Sequence, residues 1–362
     1  MQGFSFSLNF VPEPMISSIW IGSGGVQIDS AHPKRIAVVD EGVPRRVVDK
    51  ITKEIDVIRF HGGERVKTRK MKEWLEDELI KKECGKDTLL IGIGGGSVLD
   101  LVGFVASTFH RGIPYYAVPT TLLAMVDASI GGKNGVNVSD AKNLIGTIYH
   151  PEKIFIDVSF LETLPHFEMQ NGVVEMVKHS LLDGHESVAI LEKDLERLLK
   201  KEKEVLVHAI SKNVLLKKGV VEESAKTPKK RDLLNLGHTI GHALEALEGF
   251  TLSHGQAIAI GILAECQLAY QLKLLSKETL ERISSLIKSI RLPLLISRRY
   301  LHEEWHKALV FDKKTKGLRP QFVLLKDLGC AHVVGNNFCH DVADEELFKL
   351  FEWINSEFTD KS

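Results

Sequence analysis

Residues Asp87 to Asp100, DTLLIGIGGGSVLD, narrow the choice of folds more than any other stretch. A continuous apolar run of this length, without polar alternation, suits a buried strand. It breaks into Gly94, Gly95 and Gly96, then resumes as a helical pattern. Glycines let a backbone approach a pyrophosphate closely, and the following helix offers free N–H groups and a positive dipole end. The three glycines are therefore phosphate-loop candidates, with Asp100 placed to orient a hydroxyl or a lysine. The spacing is not GxGxxG, so the standard dinucleotide fingerprint does not apply, and a glycine turn without a ligand stays open.

The flanking chain repeats the strand–helix alternation of a parallel α/β domain. Arg35 to Asp40 and Asp56 to Phe60 read as strands, and Pro44 to Ile55 and Thr68 to Cys84 as helices, with Glu64 and Lys67 in a loop. Tyr115 to Leu123 reads as another strand, placing Thr120 and Thr121 at its carboxyl end, where open α/β sheets bind ligands. A glycine-rich segment follows with Asp127, Gly131, Gly132 and Lys133, then Lys142 and Asn143, a composition suited to an anion.

From about Glu168 onward helices dominate: Gln170 to Leu182, Val188 to Leu199, Glu204 to Glu223, Arg231 to Gly255 and Gln256 to Leu272. The change puts a domain boundary at Leu164-Pro165, dividing an α/β dinucleotide-binding domain, 1–164, from a mostly α-helical metal- and substrate-binding domain, 165–362. Within Arg231 to Gly255, leucines and alanines mark an apolar helical face. On a continuous helix Asn235, His238 and His242 would lie within roughly 60° of one another, with Arg231 on the same flank and His254 in a turn just beyond. Burying so many polar groups without partners would cost several kcal/mol, which points to a site. Glu175 and Lys178 sit three residues apart in an apolar helix, so Glu175 is a candidate carboxylate ligand beside two histidines. Spacing alone would put both His238 and His242 on the metal. Near the C-terminus, Gln321 to Leu325 reads as a strand after a lysine run containing Lys313 and Lys314.

A formal net charge of −1 argues against a general nucleic-acid or membrane-surface partner. Four cysteines without a CxxC pair, and an N-terminus without a charged and apolar leader, imply a reduced, cytoplasmic protein. No apolar stretch is long enough to span a membrane. Cys330, His332, Cys339 and His340 read better as a hairpin around Gly335 to Asn337 than as a zinc site.

Taken together, the stretches VPTTLLAMVDASIGGKNGVN, KNLIGTIYHP, NGVVEMVK, LLNLGHTIGHALEA and LSHGQAIAIG resemble the 3-dehydroquinate synthases, in family order from about Arg35 to Leu325. The resemblance implies an NAD-binding α/β domain, a helical domain, an active site between them and a homodimer. It places one divalent metal, Zn or Co, on Glu175, His238 and His254, so that His242 faces substrate instead. Substrate contacts fall on Asp127, Lys133, Asn143, Lys178, Lys217, Arg231, Asn235, His242 and one of Lys313 or Lys314, and Arg111 reaches the neighbouring subunit's site. The NAD set is Asp40, Glu64, Lys67, Gly95, Gly96, Ser97, Asp100, Thr120, Thr121, Lys142, Phe160, Thr163, Leu164 and Glu168. Departures are GGGSVLD for GGGVxxD, Leu164-Pro-His-Phe-Glu168 for LPxRE, and His254-Gly-Gln-Ala for HGEA.

The reaction the resemblance implies converts 3-deoxy-D-arabino-heptulosonate 7-phosphate to 3-dehydroquinate and phosphate. Transient oxidation by NAD, β-elimination of phosphate, re-reduction and an intramolecular aldol closure follow in turn. Another sugar phosphate cyclase and a metal-dependent polyol dehydrogenase are the competing expectations.

Overall fold

The structure is a computed structural model describing residues 17–138, 141–224, 227–312 and 319–360. Its first half opens with strand β1 (Ser18–Gly22), which the sequence pattern did not signal, followed by β2 (Lys34–Asp40), α1 (Arg45–Ile51) and β3 (Asp56–Phe60). Helix α2 (Arg69–Lys81), capped by the Thr68 hydroxyl, leads to β4 (Thr88–Gly94), α3 (Gly96–Thr108) and β5 (Tyr115–Pro119). An antiparallel hairpin of β6 (Lys133–Val138) and β7 (Ala141–Ile148) intervenes before β8 (Lys153–Asp157).

Six of these strands form one parallel sheet in the order β1-β8-β5-β4-β2-β3. Every residue of β4 is buried, as its unbroken apolar run requires of a central strand. Because β3 lies on one side of β2 and β4 on the other, the direction of winding reverses between β2 and β4. That reversal opens a crevice at their carboxyl ends, between Asp40 and the three glycines.

The second half packs α4 (His166–Asp183), α5 (His185–Leu199), α6 (Lys203–Ser224), α7 (His238–Leu247), α8 (His254–Gln271), α9 (Lys277–Ser289), α10 (His302–Asp312) and α11 (Asp344–Phe358). Helix α4 is its axis, buried on all sides from Met169 to Leu181. A short ribbon of β9 (Leu325–Asp327) and β10 (Cys330–Ala331) completes the described chain. The strand expected over Gln321 to Leu325 is smaller than its pattern suggested: Phe322 makes an isolated bridge with His340, and regular pairing starts at Leu325. Val334 pairs with Asn337 across a tight turn, the hairpin expected there.

The continuous helix expected from Arg231 is also corrected. Residues Pro228–Asn235 form a 3-10 helix, Leu236 is extended, and Gly237 is left-handed at φ 79° before α7 begins. The cause is the crossing with α8. A Cβ on Gly237 would lie 2.5 Å from the Ile262 side chain and 2.8 Å from the Ile262 backbone nitrogen, so the chain must turn there without a side chain. The buried Glu265 carboxylate of α8 accepts the Gly237 N–H at 2.8 Å and faces the positive end of α7. Arg231 and Asn235 therefore do not share a helix with His238 and His242.

Candidate active site

Three helices bring the metal-ligand candidates together. Glu175 comes from the middle of α4, His238 is the first residue of α7, and His254 is the first of α8, where Ser253 and Gln256 form a reciprocal capping box. Gln256 thus fills the role a glutamate plays in such a box. Glu175 Oε1 lies 3.7 Å from His238 Nε2 and 3.5 Å from His254 Nε2. A tetrahedral ion with bonds of about 2.0–2.1 Å holds its donors roughly 3.4 Å apart, close to this spacing.

The outer nitrogens are fixed as a ligand set requires. His238 Nδ1 donates to the Leu236 carbonyl at 3.1 Å, and His254 Nδ1 faces Glu245 Oε1 at 3.2 Å, so both Nε2 atoms turn toward Glu175. Glu175 is fully buried, and neither of its oxygens accepts a hydrogen bond of good geometry, although Lys178 Nζ stands 2.5 Å from Oε2. A carboxylate left this way suits a cation. Burial works against its charge, but Lys178 and the two histidines hold its pKa well below the ordinary value. Burial, with Lys178 nearby, keeps His238 neutral. For His254 burial opposes the charge, yet the Glu175 and Glu245 carboxylates beside it prevail and push it up to about 10. His242 packs edge-on against His238 with ring centroids 5.3 Å apart and lies outside the ligand group, which corrects the HxxxH pairing.

Beside this cluster is a pocket of cations. Lys217 of α6 is buried and reaches Asp127 Oδ1 at 2.7 Å, as well as the Asp127 carbonyl. Asp127 sits in a single π-helical turn, Ala124–Ala128. Burial would raise its pKa, but Lys217 and Lys178 hold it well below the usual range. Arg231 donates to the Gly131 carbonyl at 3.0 Å. Burial and then the Arg231 and Lys217 charges depress Lys133. Crowded, partly desolvated cations of this kind gain most from an anionic ligand. Asn235 is exposed at the end of the 3-10 helix.

The cofactor candidates gather at the strand ends. Asp40 accepts N–H bonds from Gly42 and Gly62, and Glu64 accepts from Asn137 at 2.7 Å. Lys67, buried, bonds Asp100 and Asn143, so Asn143 sits with the cofactor group rather than with Asp127. Gly95 caps α3 without any side-chain hydrogen bond, leaving Gly96 and Ser97 in an open first turn. Thr120 is buried against Gly94, and the Thr121 hydroxyl accepts the Ala124 N–H. Phe160 and Thr163 lie in a 3-10 helix, Val158–Thr163, with Leu164 as its cap; Phe160 is core, and Glu168 occupies the first turn of α4. Lys142 turns instead to Glu245 at 3.1 Å. Arg111 is exposed at φ 65°, beyond the end of α3 opposite the glycine loop. Lys313 and Lys314 lie outside the described residues.

Residues 57–171 match the 3-dehydroquinate synthase N-terminal family, and 172–315 the C-terminal one. The chain belongs to the 3-dehydroquinate synthase family. A 3-dehydroquinate synthase of Dictyoglomus turgidum is 37% identical over 300 residues, 83% of this chain and 82% of that protein. One from Pseudoalteromonas translucida is 40% identical over 292 residues, 80% of each. A crystal structure of 2-deoxy-scyllo-inosose synthase complexed with carbaglucose-6-phosphate, NAD+ and Co2+ superposes with a TM-score of 0.81 at 26% identity, over 89% of this chain and 90% of that one. As a member of the 3-dehydroquinate synthase family, the chain is an enzyme, a carbon–oxygen lyase of the shikimate route to aromatic amino acids.

Two residues at the site of this 3-dehydroquinate synthase family member carry little sequence signal. No sequence signal marks Glu245: it sits among apolar residues of a helix, and no spacing links it to His254. His179 of α4 is buried with Nδ1 3.2 Å from Asn213 and Nε2 3.8 Å from Asp127 Oδ1. Burial and the Lys178 charge depress its pKa to about 4. The signal available for it was its place next to Lys178 in an apolar helix. Asp127, Glu175 and His179 also gather closely enough to hold an ion, but Lys217 and Lys178 already pair with the two carboxylates. Cys330, His332, Cys339 and His340 form no such group among the described residues.

Proposed function

We propose that this chain converts 3-deoxy-D-arabino-heptulosonate 7-phosphate to 3-dehydroquinate and phosphate. The observation that carries the reading is the join between the Glu175–His238–His254 cluster and the cation pocket, made by Lys178, which pairs with Glu175 and lowers the pKa of Asp127. A substrate with an alcohol to activate and two anionic groups to neutralise fits that pairing. When bound, NAD would take and return a hydride, and a divalent ion such as Zn or Co would polarise the reacting alcohol.

Glu175, His238 and His254 would hold the ion, and the crevice between Asp40 and Gly95–Gly96 would hold the dinucleotide. Asp127, by pairing with Lys217, fixes that ammonium in the pocket. Lys133, Lys178, Lys217 and Arg231 neutralise the carboxylate and the phosphate, so the phosphate stays ionised and can itself accept the proton lost in β-elimination. His242, next to His238, orients substrate at the pocket's edge. Asn235 and one of Lys313 or Lys314 complete the proposed substrate contacts, with Asn143, bonded to Lys67, where substrate and cofactor would meet.

The domain division at 164/165 belongs to this reading, with the reaction in the cleft. So does a homodimer in which Arg111 serves the neighbouring site. Leu144 and Ile148 support it: they are 53% and 69% exposed on β7, whose outer edge is unpaired among the described residues. The buried thiols of Cys84 and Cys266 support a reducing, cytoplasmic setting, and no described helix is long and apolar enough to cross a membrane.

The test is phosphate release from the heptulosonate phosphate with NAD, before and after chelation. Metal-dependent release without net NADH supports the reading. Steady NADH build-up from glycerol would point to a polyol dehydrogenase, and release from a different sugar phosphate alone to another cyclase.

A further inference from the structure

His238 and His254 are oriented by unlike groups. His238 leans on a neutral backbone carbonyl two residues before it. His254 leans on Glu245, a carboxylate that is 1% exposed, and the same Oε1 atom lies 3.1 Å from Lys142 Nζ. Lys142 arrives from the β6–β7 hairpin of the sheet half, with its ammonium 4.8 Å from the centre of the Phe250 ring. One buried oxygen thus joins a metal-ligand candidate to the part of the chain beside the cofactor candidate Lys67 and its partner Asn143.

We infer that Glu245 is a positioning residue that fixes His254 for the metal, and that Lys142 holds Glu245 in place from the opposite half of the molecule. The inference rests on the proposed metal site. Its physical basis is general: a ring nitrogen donating to a carboxylate locks the imidazole's tautomer and rotation and makes the other nitrogen a stronger donor. A lone carboxylate at this depth would be costly, and the Lys142 ammonium offsets the cost while leaving Oε1 within reach of His254. The second role also explains why Lys142, expected among the NAD contacts, turns toward α7.

The test is metal affinity, measured by competition between the protein and a chromophoric chelator for Zn2+ and for Co2+, together with the visible absorption of the Co2+ form. E245Q keeps the shape and an acceptor but loses the charge, and should bind about 10- to 100-fold more weakly. E245A should bind more weakly still, K142Q should show a smaller loss, and the Co2+ spectrum of E245Q should shift. Unfolding temperatures in EDTA check that each variant is folded. Wild-type affinity and spectrum in folded E245Q would overturn the assignment. If substitutions at Glu245 prevent folding, K142Q decides it, since wild-type affinity there removes the link across the molecule. A wild-type protein that binds neither ion fails the metal site itself, an outcome separate from any failure at Glu245.

Discussion

The metal cluster and the nucleotide crevice are built by opposite means. The cluster is made of side chains: Glu175, His238 and His254 converge from three packed helices, and each is held by a neighbour such as Leu236, Glu245 or Lys178. The crevice is made mostly of backbone: a glycine loop, the open first turn of α3, and strand ends whose positions follow from sheet order. A site of buried side chains has its charge balance fixed in advance, so one substitution leaves a charge unmatched. A site of backbone loses by obstruction, which is graded.

The sharpest break in that comparison is Glu175→Gln. It removes the central ligand charge and leaves Lys178 without its pair, so metal-dependent phosphate release should fall by about three orders of magnitude or more. Full activity with chelator-sensitive turnover intact would remove Glu175 from the ligand set. Next is Lys217→Met, which leaves the Asp127 carboxylate without its ammonium. Asp127 keeps 26% side-chain exposure, so the expected loss of stability in urea unfolding is about 2–3 kcal/mol, below that of a fully buried pair. Substrate KM should rise as well. An unchanged denaturation midpoint would show that Asp127 finds another partner.

The crevice should respond more mildly. A Cβ at Gly95 would sit 3.3 Å from Thr121 Cγ2, tight but tolerable, while standing in the path of a pyrophosphate. Gly95→Val should therefore weaken NAD binding by roughly tenfold or more, about 1.4 kcal/mol or above, with kcat at saturating NAD much less affected. Equal NAD affinity in calorimetry would move the phosphates away from the loop.

The same contrast explains what was legible in the sequence. Strand β4 and its glycines were readable because burial on both faces forces a continuous apolar run, and the glycine break is local. Glu175, His238 and His254 stood out as polar residues in apolar helices, but their grouping came from whole-family resemblance, since spacing alone favoured His242. The break at Gly237 was hidden: the leucine period runs straight through it, and the cause is Ile262, a residue far along the chain. Glu245 was hidden for the same reason, because its partners Lys142 and His254 lie on other elements. Strand β1 carried no signal beyond extended chain, and its place at the sheet edge comes from pairing with β8.

One carboxylate in the crevice, Asp100, shifts the opposite way from those of the cluster, and it gives the most specific effect. Burial pushes Asp100 up to about 6 from 3.8, with Lys67 beside it only partly countering the desolvation. The folded chain therefore holds this proton more tightly than the unfolded chain does. Its contribution to stability is complete below about pH 3.8 and is lost as the pH rises through about 6. Asp100→Asn removes that titration while keeping an acceptor for Lys67. The stability of the wild type relative to this variant should then fall between pH 4 and pH 7, by on the order of 1–3 kcal/mol, when unfolding is followed at matched ionic strength. Groups common to both proteins cancel in the difference. A difference that stays flat, or that grows in favour of the wild type as the pH rises, would mean that the Lys67 ammonium outweighs burial and that Asp100 is charged throughout the range.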